Sequence, residues 1–207
     1  MRRSGRVVFL SAFSLLVLTL HSCSDDDIKE TYPSIVSEFS DIYSNDKGTL
    51  YQFVTDSQKK FLISNTLTGY AASRIYRGVC GYVANGERAT LYQLQATYVL
   101  RDSTATPRRD PTAVLSVWST DRYINMQLQP HTQGGRQYWG YCTDSIRTKH
   151  IFLSLYHNQN ADPTSYSETT YASILLDSIP NRQPEDTITL SIRTFGGTET
   201  WHFPPSN

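Results

Sequence analysis

Three side chains with oxygen ligands alternate in the segment Asn158-x-Asn160-x-Asp162. Such alternation begins a calcium-binding loop, which also needs glycine at its sixth position and a bidentate glutamate at its twelfth. These positions hold Pro163 and Thr169. We therefore predict a polar connection between strands, with an irregular calcium site as the alternative.

Histidine and cysteine, the other common metal ligands and nucleophiles, are few. The histidines beyond the leader are spaced singly, without the pairing that a zinc site needs: His131, His150, His157 and His202. We expect Cys80 and Cys142 to be free, buried thiols in different halves of the chain. Nucleotide-binding, serine-hydrolase and zinc-peptidase motifs are absent. We predict no metal, no cofactor, no catalytic residue and no enzyme, with a hydrolase whose paired carboxylates meet in the fold as an alternative.

Aromatic side chains are the remaining candidates for binding. Tyr138, Trp139 and Tyr141 follow the turn Gly134-Gly135. An exposed ring can stack on a sugar or anchor a protein partner, although strand aromatics also pack cores. Successive strand residues point to opposite faces, so at most one of Tyr138 and Trp139 faces the core. We predict these two as ligand-binding residues.

The first 23 residues are typical of a targeting signal. Arg2, Arg3 and Arg6 precede a mostly apolar stretch, residues 7–20, which is too short to cross a bilayer as a helix. The stretch ends at Cys23 in a Leu-His-Ser-Cys sequence that resembles the lipobox of bacterial lipoproteins. The resemblance implies that the Cys23 thiol carries diacylglycerol and that its new amine is acylated. An ordinary secretory signal with an incidental cysteine is the alternative.

An acidic run, Ser24-Asp25-Asp26-Asp27, follows this cysteine directly. It resembles the export signal of surface-displayed lipoproteins in one Gram-negative lineage, whereas a solvated tether is the simpler interpretation. We expect an acidic tether over residues 24–33 and an outer-membrane protein on the cell surface, with the periplasmic face as the alternative.

Composition excludes several classes of function. Of 207 residues, 12% are aromatic and 18% charged, with 19 basic and 19 acidic side chains, so neither a disordered acidic tail nor a coiled coil fits. Removing the leader and its three arginines leaves a formal charge of −3. Such a chain gains nothing from counterion release, so we predict no nucleic-acid partner.

Period-two alternation beyond Pro33 predicts an all-β protein. Its first five strands span residues 35–43, 49–55, 60–64, 74–83 and 88–100. Asn85-Gly86 predicts a type I′ hairpin, and glycines within the fourth strand indicate bends that close a small barrel. The apolar row of the fifth strand is Tyr92, Leu94, Ala96, Tyr98 and Leu100. We predict an OB-like five-stranded barrel over residues 34–102.

The polar, arginine-rich and proline-containing segment 103–112 is typical of an interdomain linker. Beyond it, apolar residues alternate more regularly: Ile124, Met126 and Leu128 face one way, and Asn125, Gln127 and Gln129 the other. About seven such strands follow, over or near residues 114–119, 124–129, 137–143, 151–155, 172–176, 188–192 and 199–203. We predict an antiparallel β-sandwich over residues 113–207.

The whole chain resembles the NigD-like lipoproteins. The stretches that carry the resemblance are residues 23–27, 132–140, 153–160, 177–180 and 195–201. It implies a lipoprotein signal, an OB-type barrel and a C-terminal sandwich. A bacteriocin-immunity role proposed for the member that gives the family its name is implied only as an analogy, and no catalytic or binding residues are transferred. Our hypothesis is a non-catalytic binding module that recognises a protein at the cell surface, with glycan binding as the alternative.

Overall fold

Strands account for nearly all regular structure in residues 34–103 and 106–205, which the computed structural model describes. The only other regular element in these ranges is a 3-10 turn, Leu176–Ser178. None of the helical structure described is long and apolar enough to span a membrane. The predicted leader, Cys23, the run Ser24 to Asp27 and the tether lie outside the described residues.

Five strands close the predicted N-terminal barrel. They are β1 (Val36–Ser44), β2 (Leu50–Thr55), β3 (Lys60–Leu67), β4 (Ile75–Asn85) and β5 (Arg88–Ala96). Their order is β1-β2-β3-β5-β4, with β4 returning to pair with β1. The core contains Ile42, Leu50, Phe53, Phe61 and Tyr82 among other apolar residues. A Cβ on Gly78 would lie 2.8 Å from a Leu94 methyl carbon, so the small residue permits the close approach of β5.

Two local predictions for the barrel were wrong. Asn85 pairs with Arg88, so the central turn residues are Gly86 and Glu87, and only Gly86 has a positive φ, as in a type II′ turn. The predicted apolar row on the fifth strand does not share one face: Leu94 packs against the barrel core, but Tyr92 is the extra residue of a bulge opposite Gly81 and Tyr82. Tyr92 is consequently 60% exposed, while the side chains of Ala89 and Leu91 are buried.

The fifth strand ends at Ala96, and the next three residues belong to the sandwich. The remaining strands are β6 (Tyr98–Leu100), β7 (Ala113–Ser119), β8 (Tyr123–Gln129), β9 (His131–Thr132), β10 (Tyr138–Arg147), β11 (His150–Asn158), β12 (Tyr166–Ser167), β13 (Thr170–Leu175), β14 (Thr187–Thr194) and β15 (Gly197–Phe203). The strand predicted over residues 88–100 is thus divided between the two halves. The predicted domain limits stay predictions.

The sandwich consists of two four-stranded sheets, ordered β10-β11-β14-β15 and β6-β13-β8-β7, and β9 pairs with β12 in a separate ribbon. This confirms the predicted sandwich, although the pairs β11–β14 and β6–β13 are parallel. Leu128, Tyr141, Leu153, Ile174 and Leu190 are fully buried between the sheets. Barrel and sandwich together form one compact unit, Pro33–Asn207.

Residues 101–112, which we call the strap, are bonded to the sandwich along their described parts. The Ser103 amide donates to the Tyr141 carbonyl, and the Tyr141 amide donates to the Arg101 carbonyl. Further along, the His157 amide donates to the carbonyl of Arg108, and the Asp110 amide donates to that of His157. The sequence predicted a linker here, but the backbone is held against β10 and β11.

Candidate ligand-binding groove

The polar side of β8 faces the barrel. Ile124 and Met126 point into the sandwich core, so Asn125 points the other way, yet it is also 0% exposed. Its side-chain amide contacts Arg77 and Asp56, both from the barrel. One side of β8 therefore faces the hydrophobic core of the sandwich, and its other side forms a polar surface that the barrel covers.

Arg77 on β4 lies at the centre of this surface, with its side chain 2% exposed. Its Nη1 donates to Asp41 at 3.3 Å, and its Nη2 donates to Asp56 at 2.6 Å. The same Nη2 donates to the Asn125 side-chain oxygen at 3.0 Å, and Nε donates to Ser173 at 3.3 Å. Asn125 in turn donates to Asp56 at 2.6 Å. The buried guanidinium is thus bonded to both halves of the molecule.

Asp41 is the second centre of charge. Arg122 Nη1 donates to its carboxylate at 2.7 Å, and the Tyr123 hydroxyl donates to it at 3.0 Å. Burial, and then the neighbouring Asp41 carboxylate, raises the pKa of Tyr123 to about 12. Two carboxylates face two guanidiniums, which a buried ionic cluster requires. We call the set the junction cluster: Asp41, Asp56, Arg77, Arg122, Tyr123, Asn125 and Ser173.

Beside the junction cluster, a depression of about 390 Å³ opens between barrel and sandwich. Phe39 forms its floor and packs against two rings of the sandwich, Trp118 at 5.2 Å and Tyr171 at 5.6 Å between centroids. Both contacts are edge-to-face, and Trp118 remains 36% exposed. The polar wall includes Glu38 and Gln127.

Two further depressions adjoin this one. A depression of about 380 Å³ shares Tyr171 with the first and is also lined by Gln95, Tyr98 and Glu168. A smaller one, about 70 Å³, shares Tyr98 and Glu168 and ends at Trp139. We call the three together the junction groove. Its size is within the range of small-molecule sites.

The structure separates the two predicted ligand-binding residues. Tyr138 is 41% exposed, and the Arg136 guanidinium lies 5.0 Å from its ring centroid. Trp139 packs against the sandwich core and stacks on His157, with centroids 3.8 Å apart and planes 8° apart. Trp139 also lines the end of the junction groove, whereas Tyr138 lines none of its three depressions.

The alternating segment 158–162 has a structural role. The Asp162 carboxylate accepts from the Thr132 hydroxyl at 2.6 Å, from the Gln137 amide at 2.7 Å and from the backbone N–H groups of Gln133 and Gly135. The Thr132 hydroxyl and these backbone donors lower the pKa of Asp162 to about 2. Its oxygens therefore hold the neighbouring loop. No group of three or more metal-ligating residues occurs in the described ranges.

The other titratable candidates are also engaged within the fold. His150 and His202 both contact the Thr189 hydroxyl, at 2.7 and 2.9 Å. Burial lowers the pKa of His157, whose ring nitrogens contact the Asp110 carbonyl and the Gln137 side-chain oxygen. Cys80 and Cys142 are free and buried, as predicted. Burial raises the pKa of Cys80 to about 11.

Sequence reasoning missed most of the junction groove. Trp118 and Tyr171, both in the sandwich, are 53 positions apart in the chain, and Phe39 belongs to the barrel. Spacing along the chain carries no signal of their meeting. The available signal was the row of amide side chains on β8, Asn125, Gln127 and Gln129. Such a row on the side of a strand opposite the core can face a second part of the protein instead of solvent.

Fold and groove together define a class of protein: a barrel and a sandwich joined by a buried ionic cluster, with a ligand-sized aromatic groove where they meet. The family model for the NigD-like C-terminal beta sandwich domain matches residues 99–204, which is half of the chain. The chain therefore belongs to the NigD-like family, and the predicted resemblance is confirmed. Among curated proteins, none matches the chain in sequence.

Solved structures share the fold across both halves. A NigD-like immunity protein from Bacteroides caccae superposes with a TM-score of 0.67 at 22% identity, covering 84% of this chain and 99% of that one. A protein of unknown function from Bacteroides vulgatus gives a TM-score of 0.65 at 14% identity, covering 84% and 92%. A candidate lipoprotein from Bacteroides fragilis gives 0.63 at 10% identity, covering 84% and 99%. At these identities the likeness concerns the fold alone.

Proposed function

We propose that this protein is a lipid-anchored module of the outer membrane that is displayed on the cell surface and binds a macromolecule through the junction groove without catalysing a reaction. The observation that carries the binding role is the groove itself. Rings of both halves meet there beside polar side chains, and sites that combine apolar walls with a few polar groups are typical of ligand recognition.

The proposed anchor rests on Cys23 and the sequence around it. Each methylene of an acyl chain contributes about 0.8 kcal/mol when buried in a bilayer, so two or three chains hold a protein almost permanently. The likeness of fold to a candidate lipoprotein supports this assignment.

The non-catalytic role is supported by what two of the three carboxylates that line the groove do. Asp56 accepts from Arg77 and Asn125, both at 2.6 Å. Glu38 accepts from the Tyr82 hydroxyl at 2.9 Å and from Ser57 at 3.4 Å. A general acid must be free to exchange its proton with substrate. Ion pairing and hydrogen bonding within the protein are the simpler role for these groups.

Site-specific photo-crosslinking on intact cells tests the binding role. We expect p-benzoylphenylalanine in place of Gln127, inside the groove, to give a discrete adduct with a surface macromolecule after irradiation. The same group in place of Tyr92, which is 60% exposed on the barrel, is the matched control. Equal adducts from both positions, or none from position 127, would contradict a binding role for the groove.

An immunity function is a second candidate, favoured by the similarity of fold to a NigD-like immunity protein. In this case the groove occupant is a bacteriocin or its receptor. Deleting the gene should sensitise the source cell to a bacteriocin producer, and the wild-type chain should restore survival. A Trp118→Ala chain should not restore survival. If the deletion strain survives as well as its parent, the immunity role is excluded.

A further inference from the structure

We infer that the junction groove takes a neutral oligosaccharide, an inference that rests on the binding role proposed above and names its ligand class. The first argument is the composition of the wall. No lysine, arginine or histidine lines any of the three depressions. The polar lining instead combines side-chain amides and hydroxyls with three carboxylates, and aromatic rings lie beside them. The hydrogen bonding of the amides and hydroxyls matches the mixed donors and acceptors of sugar hydroxyls.

Trp118 and Tyr98 are exposed rings of the groove, and a buried ring holds the first of them in position. Phe39 is only 6% exposed and holds Trp118 and Tyr171 in edge-to-face contacts at 85° and 74°. Tyr98 is 53% exposed, at a centroid distance of 6.4 Å from Trp139. The C–H groups on one side of a pyranose ring form an apolar patch that packs on such a surface. Rings at both ends of the groove suit a chain of several sugar units.

Two side-chain amides in the groove have no hydrogen-bond partner among the described residues. Tyr123, Asn125 and Gln127 follow one another on the same side of β8, and the first two are bonded within the junction cluster. Within the described ranges, the side chain of Gln127 makes no hydrogen bond, and neither does that of Gln95. Each offers one carbonyl and one NH₂, which can accept from and donate to adjacent sugar hydroxyls.

Charge selects against acidic sugars. Among the carboxylates of the groove, Asp56 is paired with Arg77, whereas Glu38 and Glu168 have no cationic partner among the described residues. Two unpaired negative charges repel uronates and sulfated chains. They would also attract a cationic peptide, but the amides and hydroxyls outnumber them, so the neutral oligosaccharide is the better match.

The test uses isotope-labelled full-length chain in detergent and NMR titration with cellohexaose, laminarihexaose, mannohexaose and xylohexaose. We expect at least one of them to shift the signals of Gln127, Gln95 and Trp118 at millimolar concentration. Trp118→Ala and Gln127→Ala should each weaken its binding by about tenfold. Tyr92→Ala is the matched control and should bind as the wild type does.

Two further probes separate the ways in which the inference can fail. Heparin hexasaccharide should not bind, and a Lys/Leu amphipathic peptide should not shift the groove signals. The oligosaccharide assignment is overturned if none of the four neutral hexaoses shifts the groove signals, or if the peptide saturates the groove. If groove-dependent photo-adducts persist and are digested by protease, the binding role stands with a protein ligand. If those adducts are absent as well, the proposed function fails too.

Because Trp118 contacts Phe39, its removal can perturb the junction. Gln127→Ala removes no side-chain hydrogen bond of the described residues and therefore keeps the test decisive. An unshifted NMR spectrum away from position 127 shows that this variant is folded. If a folded Gln127→Ala chain binds the oligosaccharide with wild-type affinity, the Gln127 amide does not contribute to sugar binding.

Discussion

Arg77 and Asn125 lie on different β modules, yet the guanidinium of one donates to the side-chain oxygen of the other at 3.0 Å. Neither side chain has solvent as a substitute partner, since Asn125 is 0% exposed and the Arg77 side chain 2%. A buried cation that loses its partners retains its full desolvation cost. Loss of a partner while the guanidinium stays buried is therefore strongly disfavoured.

Replacing Arg77 should destabilise the entire unit. Arg77→Met leaves Asp41 and Asp56 without their shared guanidinium, and breaking a buried pair in this way costs about 3–5 kcal/mol. Denaturant unfolding of the detergent-solubilised chain measures the loss. Arg122→Met is the control, because the Arg122 side chain is 48% exposed and its pairing with Asp41 is screened by water. Equal losses in the two variants would contradict a special role for Arg77.

Asp162 should make stability depend on pH in the acid range. Its pKa in the folded protein is about 2, below the ordinary value of 3.8, so between these values the folded state binds fewer protons than the unfolded chain. The stabilisation is complete above about pH 4 and is lost as the pH falls toward 2. Thermal unfolding from pH 5 to 2 should show a steeper decline for the wild type than for Asp162→Asn.

The exposed Asp46 supplies a matched control for this titration, because no hydrogen bond from any residue in the described part of the chain holds its carboxylate. Asp46→Asn should retain the wild-type slope. A slope unchanged in Asp162→Asn would show that the loop bonds do not perturb Asp162.

Gly135 should tolerate no side chain. A Cβ there would lie 2.6 Å from Oδ1 of Asp162 and 2.8 Å from its Cβ, so Gly135→Ala must displace the carboxylate that holds the loop. We expect a loss of about 1–3 kcal/mol in the free energy of unfolding. Gly196→Ala is the control, since its Cβ would meet nothing closer than 3.8 Å. Comparable stability of the two variants would disprove the clash.

The anchor can be tested by removing the modified thiol. Cys23→Ala should release the protein from membranes into the soluble fraction, because no acyl chain can then be attached to it. Fractionation followed by immunoblotting measures the change, and Cys142→Ala is the control for the loss of a cysteine. Retention of the Cys23→Ala chain in the membrane would refute lipidation at this position.

Surface display should depend on the acidic run. With Asp25, Asp26 and Asp27 changed to alanine, the chain should stay in the membrane fraction but lose accessibility to protease on intact cells. Changing Asp177, an exposed aspartate of the sandwich, to alanine is the control for altered charge. If both chains are shaved equally, the run is only a tether.

Strand positions were largely predictable from alternation, whereas pairings were not. The seven predicted sandwich strands all occur, since their apolar rows are regular and fill one core. The facing of the fifth barrel strand was predicted wrongly at Tyr92, because the bulge there depends on the pairing with β4 and leaves no mark in the pattern. Neither could alternation show that β11 and β14 run parallel.

The site was less predictable than the fold. Tyr138 and Trp139 were singled out by their place after a turn, but only Trp139 lines the groove. The polar composition of residues 103–112 predicted an interdomain linker, and the hydrogen bonds of the strap to Tyr141 and His157 are made by backbone atoms, which leave no signal in residue type. Tertiary contacts of this kind depend on the arrangement of distant segments.

The strap also affects how copies of the chain can pair through their sheet edges. By bonding to Tyr141 on β10 and to His157 on β11, it occupies backbone groups that would otherwise offer a template to a strand of another molecule. Proteins confined to a membrane plane meet one another at high effective concentration. At the positions on β10 and β11 that the strap occupies, the sheet border is therefore closed to strand addition by a neighbouring molecule.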